Sequence, residues 1–543
     1  MEDSRRSADD DLEQARAALE RGEVHHAADH LAGAIALAPT LPEIHELLGR
    51  LSTRADGGLE LFPLEQHAFV GTVVARAHLL AAAGRPEDGL PLLAAASGHT
   101  PGVDWAGVPW VIDPELGARM EPGLLARIVM QLCTAIGDPA PEAGRAALRP
   151  YLTLVGHAVQ AHAEHAMLLG AGSALARRLG EADRAVRWAA HGARLRPSKL
   201  AEIWLGYAYR SAGRVPESLA ALRRAVMYDP DDLSVYADIA GTLADSGRLD
   251  DALAWIDRAL AKNPEDDCAV HTGCRLRYRA DGDLAHLVRL ADFQRDHPDD
   301  THEHNDLAES CADQPWLSRV PAAPEVPLDP AREPFVAGAP SAEAIERLHR
   351  AAHPLWAHPP AAYDAALGLV LVETEDLLAL IASPPPAPDN DEGRALAAHD
   401  PALWRRSAQV WACLGLLHHD TEQRWPFSKR RRLLVDLAKG GLDSITEAAL
   451  FALVTYAWVD PTARPDVAAL MTRRLEAAAG STALAWSIAQ LALATPDLPV
   501  EVRERATAII KAEERAGLPP IPRQRNRRSG LLRRWISGRG IIR

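Results

Sequence analysis

The sequence predicts an all-α protein, an α-solenoid of stacked helical hairpins followed by a second all-helical domain. The first observation is a set of prolines that close helix-turn-helix patterns at spacings of 33, 34 and 34 residues: Pro197, Pro230, Pro264 and Pro298. A fixed period of this length is typical of helical repeat arrays. Alanine and arginine favour helices and are abundant, whereas aromatic residues make up only 5% of the 543 residues. A chain this long exceeds one hydrophobic core, so we expect several domains.

The N-terminal region, residues 8–101, repeats small and apolar residues in a register that glycine and proline punctuate. Its matching positions are Ala15, Gly22, Ala27, Leu31, Ala34, Pro39, Leu48, Gly49, Ala77, Leu80, Gly84, Gly89, Leu93, Ala96 and Pro101. Residues 102–165 leave this register. They begin with an irregular loop that contains Trp105, Pro109, Trp110 and Pro114, and helical stretches follow. The insertion leaves open whether residues 8–300 form one bent solenoid or two short ones.

Residues 166–310 form the main array, where the register is most regular. In the unit 199–232 the packing positions of two successive helices are Leu205, Gly206, Tyr209, Ser218, Leu222 and Ala225. Small residues at Gly206 and Ser218 allow the two helices to approach closely. Gly213 supplies the turn between them, and Pro230 cannot continue the second helix.

The following unit repeats this pattern through Tyr236, Ile239, Ala240, Leu243, Gly247, Ala252, Ile256, Ala259 and Pro264. Small, apolar and aromatic residues at fixed places in a 34-residue unit, followed by proline, resemble the tetratricopeptide repeat family. The preceding unit also matches, and the one after Pro264 matches less completely. The resemblance implies a solenoid whose concave groove binds a segment of another protein.

After the array, residues 311–340 are predicted to be a proline-rich linker and residues 341–516 a C-terminal helical domain. Ser444 and Glu447 have the spacing of a capping box at the start of a helix that is apolar almost all round. Further helices are expected near 464–479, 481–495 and 499–516, in a looser rhythm that resembles HEAT-like stacking. Residues 517–543 are predicted to be a basic, disordered tail.

Charge and cysteine content exclude several classes of protein. The formal charge is −15, and residues 519–543 hold eight arginines and no acid, so the rest of the chain carries −23. An acidic body argues against nucleic acid as a partner. The five cysteines (Cys133, Cys268, Cys274, Cys311, Cys413) form no Cys-x-x-Cys pair, which favours reduced thiols in a cytoplasm. The N-terminus lacks a secretory signal, and no apolar stretch is long enough to span a membrane. We therefore expect a soluble, cytoplasmic protein.

The family resemblance implies a stripe of residues that faces the groove, at unit positions 2, 5, 9 and 12 of each first helix. Together with adjacent positions, the predicted partner-binding residues are Arg177, Trp204, Tyr207, Arg210, His271, Arg275 and Tyr278. Arginines beside aromatic rings suit a peptide that bears carboxylates and an apolar anchor. The alternative is that some arginines only solvate the surface and that Trp204 packs against the neighbouring unit. The asparagine and lysine of the family's carboxylate clamp do not occur on this stripe, which argues against a chaperone tail as the partner.

The tail supplies a second candidate surface, a short basic segment with one apolar helical face: Leu531, Leu532, Arg533, Arg534, Trp535 and Ile536. Such a segment suits weak contact with an anionic membrane or a partner groove, and an unstructured tail is the alternative.

Catalytic and metal signatures do not occur in the sequence. His26 and His30, or His162 and His165, have spacings that allow a shared metal, but no zinc motif surrounds them. The run 429–432 (Lys-Arg-Arg-Arg) suits phosphate, or simply covers the start of a helix. No phosphate-binding loop or nucleophile elbow is present. We therefore predict a non-catalytic scaffold without cofactor or metal, with a peripheral membrane protein as the alternative and an enzyme in the C-terminal domain as a third hypothesis.

Overall fold

A computed structural model describes residues 2–53, 58–64, 68–297, 301–311, 328–329, 338–352, 359–391, 393–394, 401–418, 425–478 and 482–515. These residues form 27 α-helices, a few short 3-10 helices and no strand, which confirms the all-α prediction. The chain divides into two compact units, Met1–Ala259 (unit 1) and Leu260–Arg543 (unit 2). Nearly all of the predicted linker 311–340, and the whole tail from residue 517 on, lie outside the described residues.

Unit 1 contains helices α1 to α14 and most of α15. Their bounds are α1 Glu2–Glu20, α2 Val24–Leu37, α3 Pro42–Leu51, α4 Val70–Ala82, α5 Pro86–His99, α6 Pro109–Ile112, α7 Pro114–Arg119, α8 Pro122–Ala135, α9 Glu142–Ala161, α10 Ala166–Arg178, α11 Ala182–Leu195, α12 Lys199–Ser211, α13 Val215–Tyr228, α14 Ser234–Asp245 and α15 Leu249–Lys262. Antiparallel hairpins form between α1 and α2, α4 and α5, α10 and α11, and α12 and α13. Neighbouring hairpins pack through α2 on α4, α11 on α12, and α13 on α14.

The turn inside each hairpin of the main array is a glycine in the left-handed conformation, as the sequence predicts. Gly213 has φ +71° and Gly247 has φ +82°. After α12, the N–H of Gly213 donates to the carbonyl of Arg210 at 3.0 Å, and that of Arg214 donates to the carbonyl of Tyr209 at 2.9 Å. These bonds satisfy the last carbonyls of the helix and fix where the second helix begins.

The predicted close approach of α12 and α13 is present at Gly206 and Ser218. The Ser218 hydroxyl donates to the carbonyl of Gly206 at 2.8 Å. A Cβ at Gly206 would lie 2.8 Å from Leu222, which is fully buried. One repeat earlier, the Ser173 hydroxyl donates to the carbonyl of Ala185 at 2.9 Å, so the same device joins α10 and α11.

The insertion at 102–165 joins the core of unit 1. Trp105 is 1% exposed and donates its indole N–H to the Thr100 hydroxyl at 2.9 Å. Tyr151 on α9 is also 1% exposed, and its hydroxyl shares a 2.9 Å hydrogen bond with the Ser97 hydroxyl. The hydrophobic core of unit 1 is continuous from α1 to α13 and includes the insertion.

Unit 2 contains the end of α15 and helices α16 to α27. Their bounds are α16 Asp267–Asp281, α17 Leu284–Asp296, α18 Thr301–Cys311, α19 Ala342–Ala351, α20 Pro359–Ala365, α21 Thr374–Ala382, α22 Pro401–Gly415, α23 Lys429–Lys439, α24 Ser444–Val459, α25 Arg464–Ala477, α26 Thr482–Leu493 and α27 Val500–Arg515. The last three agree closely with the helices predicted near 464–479, 481–495 and 499–516.

Helix α24 is buried on every side from Ile445 to Trp458, as its all-round apolar sequence predicts. The helices that contact it are α17, α20, α22, α23, α25 and α26. The predicted start at Ser444 is correct, but the predicted capping pair is wrong. The N-cap is Asp443, whose carboxylate accepts from the N–H groups of Ile445 and Thr446. Glu447 is only 3% exposed and binds Arg406 of α22 and the Ser487 hydroxyl of α26 instead.

No helix among the described residues is long and apolar enough to cross a membrane.

Candidate partner-binding surface

The first helices of three successive repeats in unit 1, α10, α12 and α14, carry the predicted stripe. We use the term inner stripe for the residues at unit positions 2, 5, 9 and 12 of these helices: Met167, Gly170, Ala174, Arg177, Leu200, Ile203, Tyr207, Arg210, Ser234, Ala237, Gly241 and Ala244. Helices α10 and α12 pack side by side. The hydroxyl of Tyr207 on α12 donates to the Asp238 carboxylate on α14 at 2.5 Å, so this contact joins the second and third helices of the series.

Arg177 is held by an acid from outside the repeats. Its guanidinium forms an ion pair with Asp138, and its side chain is 8% exposed. Asp138 lies in the loop between α8 and α9, where the N–H of Ala140 donates to the carbonyl of Arg178 at 2.9 Å. That bond attaches the loop to the C-terminal end of α10 and places the Asp138 carboxylate beside Arg177. The charge of Arg177 is therefore compensated within the protein.

Tyr207 lies between two guanidinium groups. The Cζ atom of Arg177 is 5.0 Å from the centroid of the Tyr207 ring, and that of Arg210 is 5.2 Å away. Both distances are within the range of cation–π attraction. The contacts order the side chains in a series, Asp138 to Arg177 to Tyr207 to Asp238, with Arg210 at its edge.

Arg210 differs from the other cations of the predicted site. Among the residues that the structure describes, no carboxylate lies within ion-pair distance of its guanidinium, which rests on the Tyr207 ring and is partly exposed. Arg177, by contrast, pairs with Asp138. Arg210 is therefore the cation in unit 1's inner stripe that is open to an anionic group.

Burial shifts the ionisation of the acid at the end of this series. Desolvation raises the pKa of Asp238 to about 6, although the hydrogen bond from Tyr207 and the charge of Arg210 oppose the shift. Burial also raises the pKa of Tyr207, and the Asp238 charge adds to that effect. The pKa of Arg177 is lowered by burial, against the attraction of Asp138. The carboxyl group that accepts the Tyr207 hydrogen bond is therefore expected to change its charge near pH 6.

Trp204 packs against the neighbouring repeat. This agrees with the alternative interpretation of the residue, in which it does not face the groove. It is 8% exposed, and a Cβ at Gly170 would lie 1.9 Å from its indole ring. The absence of a side chain at Gly170 therefore makes room for the ring between α10 and α12. This position offers almost no surface to a partner.

Open space and apolar side chains lie along the same stripe. Met167 and Leu200 are each 40% exposed although both are large and apolar. On α14 a Cβ at Gly241 would meet no atom within 4 Å. The inner stripe therefore carries exposed apolar groups at one end of α10 and α12 and an unpaired cation about 15 Å away at the other end of α12, with open space on α14.

In unit 2, the predicted residues His271 and Arg275 both contact Asp306 of α18. The His271 Nδ1 atom lies 2.6 Å from one Asp306 oxygen, and the Arg275 Nε atom lies 3.2 Å from the other. His271 is 8% exposed. Tyr278 is half-buried and packs against the hydrophobic core of unit 2. These three side chains make contacts inside unit 2, and His271 and Arg275 share one acid.

The other candidate groups have structural contacts or fall outside the described residues. His30 pairs with Asp11 at 2.8 Å, and His162 Nε2 lies 3.0 Å from the carbonyl of Ala118. No group of three or more His, Cys, Asp or Glu side chains in the described part of the chain is arranged to hold a metal. In the run 429–432, Arg430 is buried and donates to the carbonyls of Val372 and His418. The tail residues Leu531 to Ile536 are not among the described residues.

Residues 209–272 match the family model described as the tetratricopeptide repeat. This segment is therefore similar to tetratricopeptide repeats. The matched segment runs from the end of α12 through the hairpin of α14 and α15 into α16, and so includes the third helix of the inner stripe. No curated protein matches the sequence.

Solved structures of tetratricopeptide repeat proteins are similar to parts of the chain. YrrB, a TPR protein with an unusual peptide-binding site, is 15% identical, and the match covers 34% of this chain and 91% of YrrB at a TM-score of 0.25. A tetratricopeptide repeat protein from Parabacteroides merdae is 12% identical, with 56% and 99% of the two chains covered at a TM-score of 0.31. A thermophilic TPR protein of Thermus thermophilus is 18% identical, with 44% and 99% covered at a TM-score of 0.21.

Sequence reasoning missed the three acids of these contacts, Asp138, Asp238 and Asp306. Asp238 and Asp306 stand at the repeat position that Trp204 occupies on α12, one place after position 5. In another repeat a buried tryptophan fills this position. An acid at the same position is therefore a signal that its carboxylate binds a side chain of a neighbouring helix. Asp138 has no comparable signal because it lies in a loop outside the register.

Proposed function

We propose that this protein is a non-catalytic scaffold whose inner stripe in unit 1 binds a segment of a partner protein. The observation that supports the proposal is that Arg210 forms no ion pair with the described residues. Arg177, His271 and Arg275 each contact an acid directly, whereas no carboxylate of the described residues lies within ion-pair distance of Arg210. A carboxylate of the partner is the group that suits this cation.

The mechanism of binding follows from the fixed position of Arg210. The Tyr207 ring holds one face of the guanidinium and leaves its edge open to bind a carboxylate through two parallel hydrogen bonds. Since Tyr207 is itself held by Asp238, little side-chain freedom is lost on binding. A charge-assisted hydrogen bond of this kind contributes about 1.5–3 kcal/mol, which is roughly tenfold or more in affinity.

The exposed apolar groups supply the second part of the interaction. Met167 and Leu200 offer surface that water covers in the free protein. An apolar side chain of the partner that covers them gains about 25 cal/mol per Å² of area removed from water. The open space at Gly241 accommodates the backbone or a further side chain of the same segment. A partner segment whose acid and apolar anchor are about 15 Å apart, the distance from Leu200 to Arg210 along α12, therefore fits best.

Two substitutions test the surface by different means. Arg210→Glu reverses the charge, and Gly241→Leu fills the open space without altering any charge. We expect each to weaken capture of the same partner by about tenfold or more in quantitative affinity capture with crosslinking. Matched controls are Arg187→Glu on the exposed surface of α11 and Gly156→Leu on α9, where a Cβ also meets nothing within 4 Å.

The comparison of these four variants decides the proposal. Loss of one captured protein in both test variants, with retention in both controls, supports binding at the inner stripe. If every captured protein is retained by Arg210→Glu and Gly241→Leu, the inner stripe is not the binding surface. Circular dichroism on all four variants checks that each remains folded.

A further inference from the structure

A pocket separate from the inner stripe lies between α13 and α15, the second helices of the same repeats, and we call it the outer pocket. It has a volume of about 340 Å³ and is open to solvent. Arg223 of α13 lines one side, and Arg248, Asp251, Trp255 and Arg258 line the other. This volume is at the small end of the range for small-molecule sites. None of these residues belongs to the inner stripe, so the proposed scaffold function does not use them.

The charge of the pocket is positive, although the whole chain carries −15. Arg248 forms an ion pair with Asp251 at 2.7 Å, and the two charges compensate each other. Arg223 and Arg258 have no carboxylate partner among the residues that the structure describes. Two uncompensated guanidinium groups therefore line one small pocket.

Trp255 gives the pocket an aromatic wall and holds one of these cations in place. The Arg258 Cζ atom lies 5.0 Å from the centroid of the Trp255 ring. The edge of Tyr236 packs against the same ring, with the two centroids 5.4 Å apart. Trp255 is half-buried, so part of its ring surface remains accessible from the pocket. Tyr236 of α14 thus supports the aromatic wall from the side opposite the pocket.

We propose that this outer pocket binds the phosphate group of a phosphate monoester or of free phosphate. The two uncompensated arginines match the charge of a phosphate dianion, whereas a single carboxylate would leave one of them unpaired. Guanidinium groups bind phosphate oxygens through paired hydrogen bonds, and a low local count of acids favours this binding. The Trp255 ring provides a surface on which an aromatic group attached to the phosphate can pack.

Isothermal titration calorimetry of the full chain in a phosphate-free buffer tests the pocket. The probes are inorganic phosphate, phenyl phosphate and benzoate, each raised to about 10 mM to cover weak binding. We expect one site that binds a phosphate probe at least about tenfold more tightly than benzoate. The double variant Arg223→Gln/Arg258→Gln removes both uncompensated charges and is expected to weaken that binding about tenfold or more.

The matched control is Arg187→Gln/Arg194→Gln, which removes two exposed arginines from α11 outside the pocket. It is expected to bind the probes like the unmodified protein. Equal affinity for inorganic phosphate and phenyl phosphate identifies free phosphate as the ligand. Tighter binding of phenyl phosphate that Trp255→Leu abolishes identifies a phosphorylated aromatic group.

Three results would overturn the proposal: no saturable binding of either phosphate probe, equal binding of benzoate, or the same loss of affinity in the control double variant. All substituted arginines are exposed, and thermal unfolding of each variant shows whether a loss of binding reflects a loss of folding.

Discussion

The environment of Asp238 differs from that of an ordinary surface acid. Its carboxylate accepts the Tyr207 hydrogen bond, and the charges of Arg210, Asp232 and Arg177 act on it. Burial raises its pKa from 3.8 to about 6. The folded protein therefore binds this proton more tightly than the unfolded chain does. Such a group stabilises the fold most at low pH, and this contribution is lost as the pH rises through about 6.

Asp238→Asn removes this pH dependence and keeps a carbonyl that accepts the Tyr207 hydrogen bond. We expect the variant to be more stable than the unmodified protein, by a margin that widens by about 1 kcal/mol between roughly pH 5 and pH 8. Urea unfolding at the two pH values measures this margin. Glu46→Gln, at an exposed acid on α3, is the control and should show no such change. A margin for Asp238→Asn that stays constant or narrows would contradict the pKa shift.

At the scale of the elements, a missing side chain on one helix creates the space for a large one on the next. Gly170 of α10 leaves room for the Trp204 ring of α12, and Gly206 of α12 leaves room for Leu222 of α13. The spacing of helices in the array therefore depends on where the glycines stand. The same residues cost helix stability, since glycine in a helix interior is about 1 kcal/mol less favourable than alanine. The packing of Trp204 and Leu222 must exceed that cost.

Gly170→Ala separates packing from helix propensity. The new methyl would lie 1.9 Å from the Trp204 ring, which is 8% exposed and has little room to move. We expect a loss of about 1–3 kcal/mol in the free energy of unfolding, in spite of the gain in helix propensity. Gly156→Ala on α9, where the methyl meets nothing within 4 Å, should instead stabilise by about 0.5–1 kcal/mol. Chemical unfolding monitored by circular dichroism compares the two. Equal stabilisation in both variants would show that Trp204 does not fill the space at Gly170.

At the scale of the whole molecule, the sequence predicted what depends on local patterns. The glycine turns, the Gly206–Ser218 contact and the all-round burial of α24 follow from residue type and spacing, and the structure has them. The side-chain partners were beyond prediction because they come from helices or loops distant in sequence. Arg406 lies 41 residues before Glu447 and donates to the Glu447 carboxylate. The capping-box pattern had predicted that this carboxylate binds the start of its own helix.

The division into two units was also not visible in the sequence. It falls within α15, between residues 259 and 260, and the predicted main array 166–310 extends across it. The proline register continues without change through Pro264 and Pro298, so periodicity gives no sign of a boundary. Periodicity reports how neighbouring helices pack. It does not report where one hydrophobic core ends and the next begins.

Because each unit has its own hydrophobic core, we expect the full chain to unfold in two calorimetric transitions. Leu168→Ala removes a fully buried side chain from the core of unit 1, and Leu450→Ala does so in unit 2. Each should lose about 2–5 kcal/mol and lower the midpoint of one transition by about 5–15 °C. Leu195→Ala and Leu371→Ala, at exposed positions of units 1 and 2, are the controls and should change stability by less than about 0.5 kcal/mol. Differential scanning calorimetry of the five proteins makes the comparison. A single transition that both core variants shift together would show that the two cores unfold as one cooperative system.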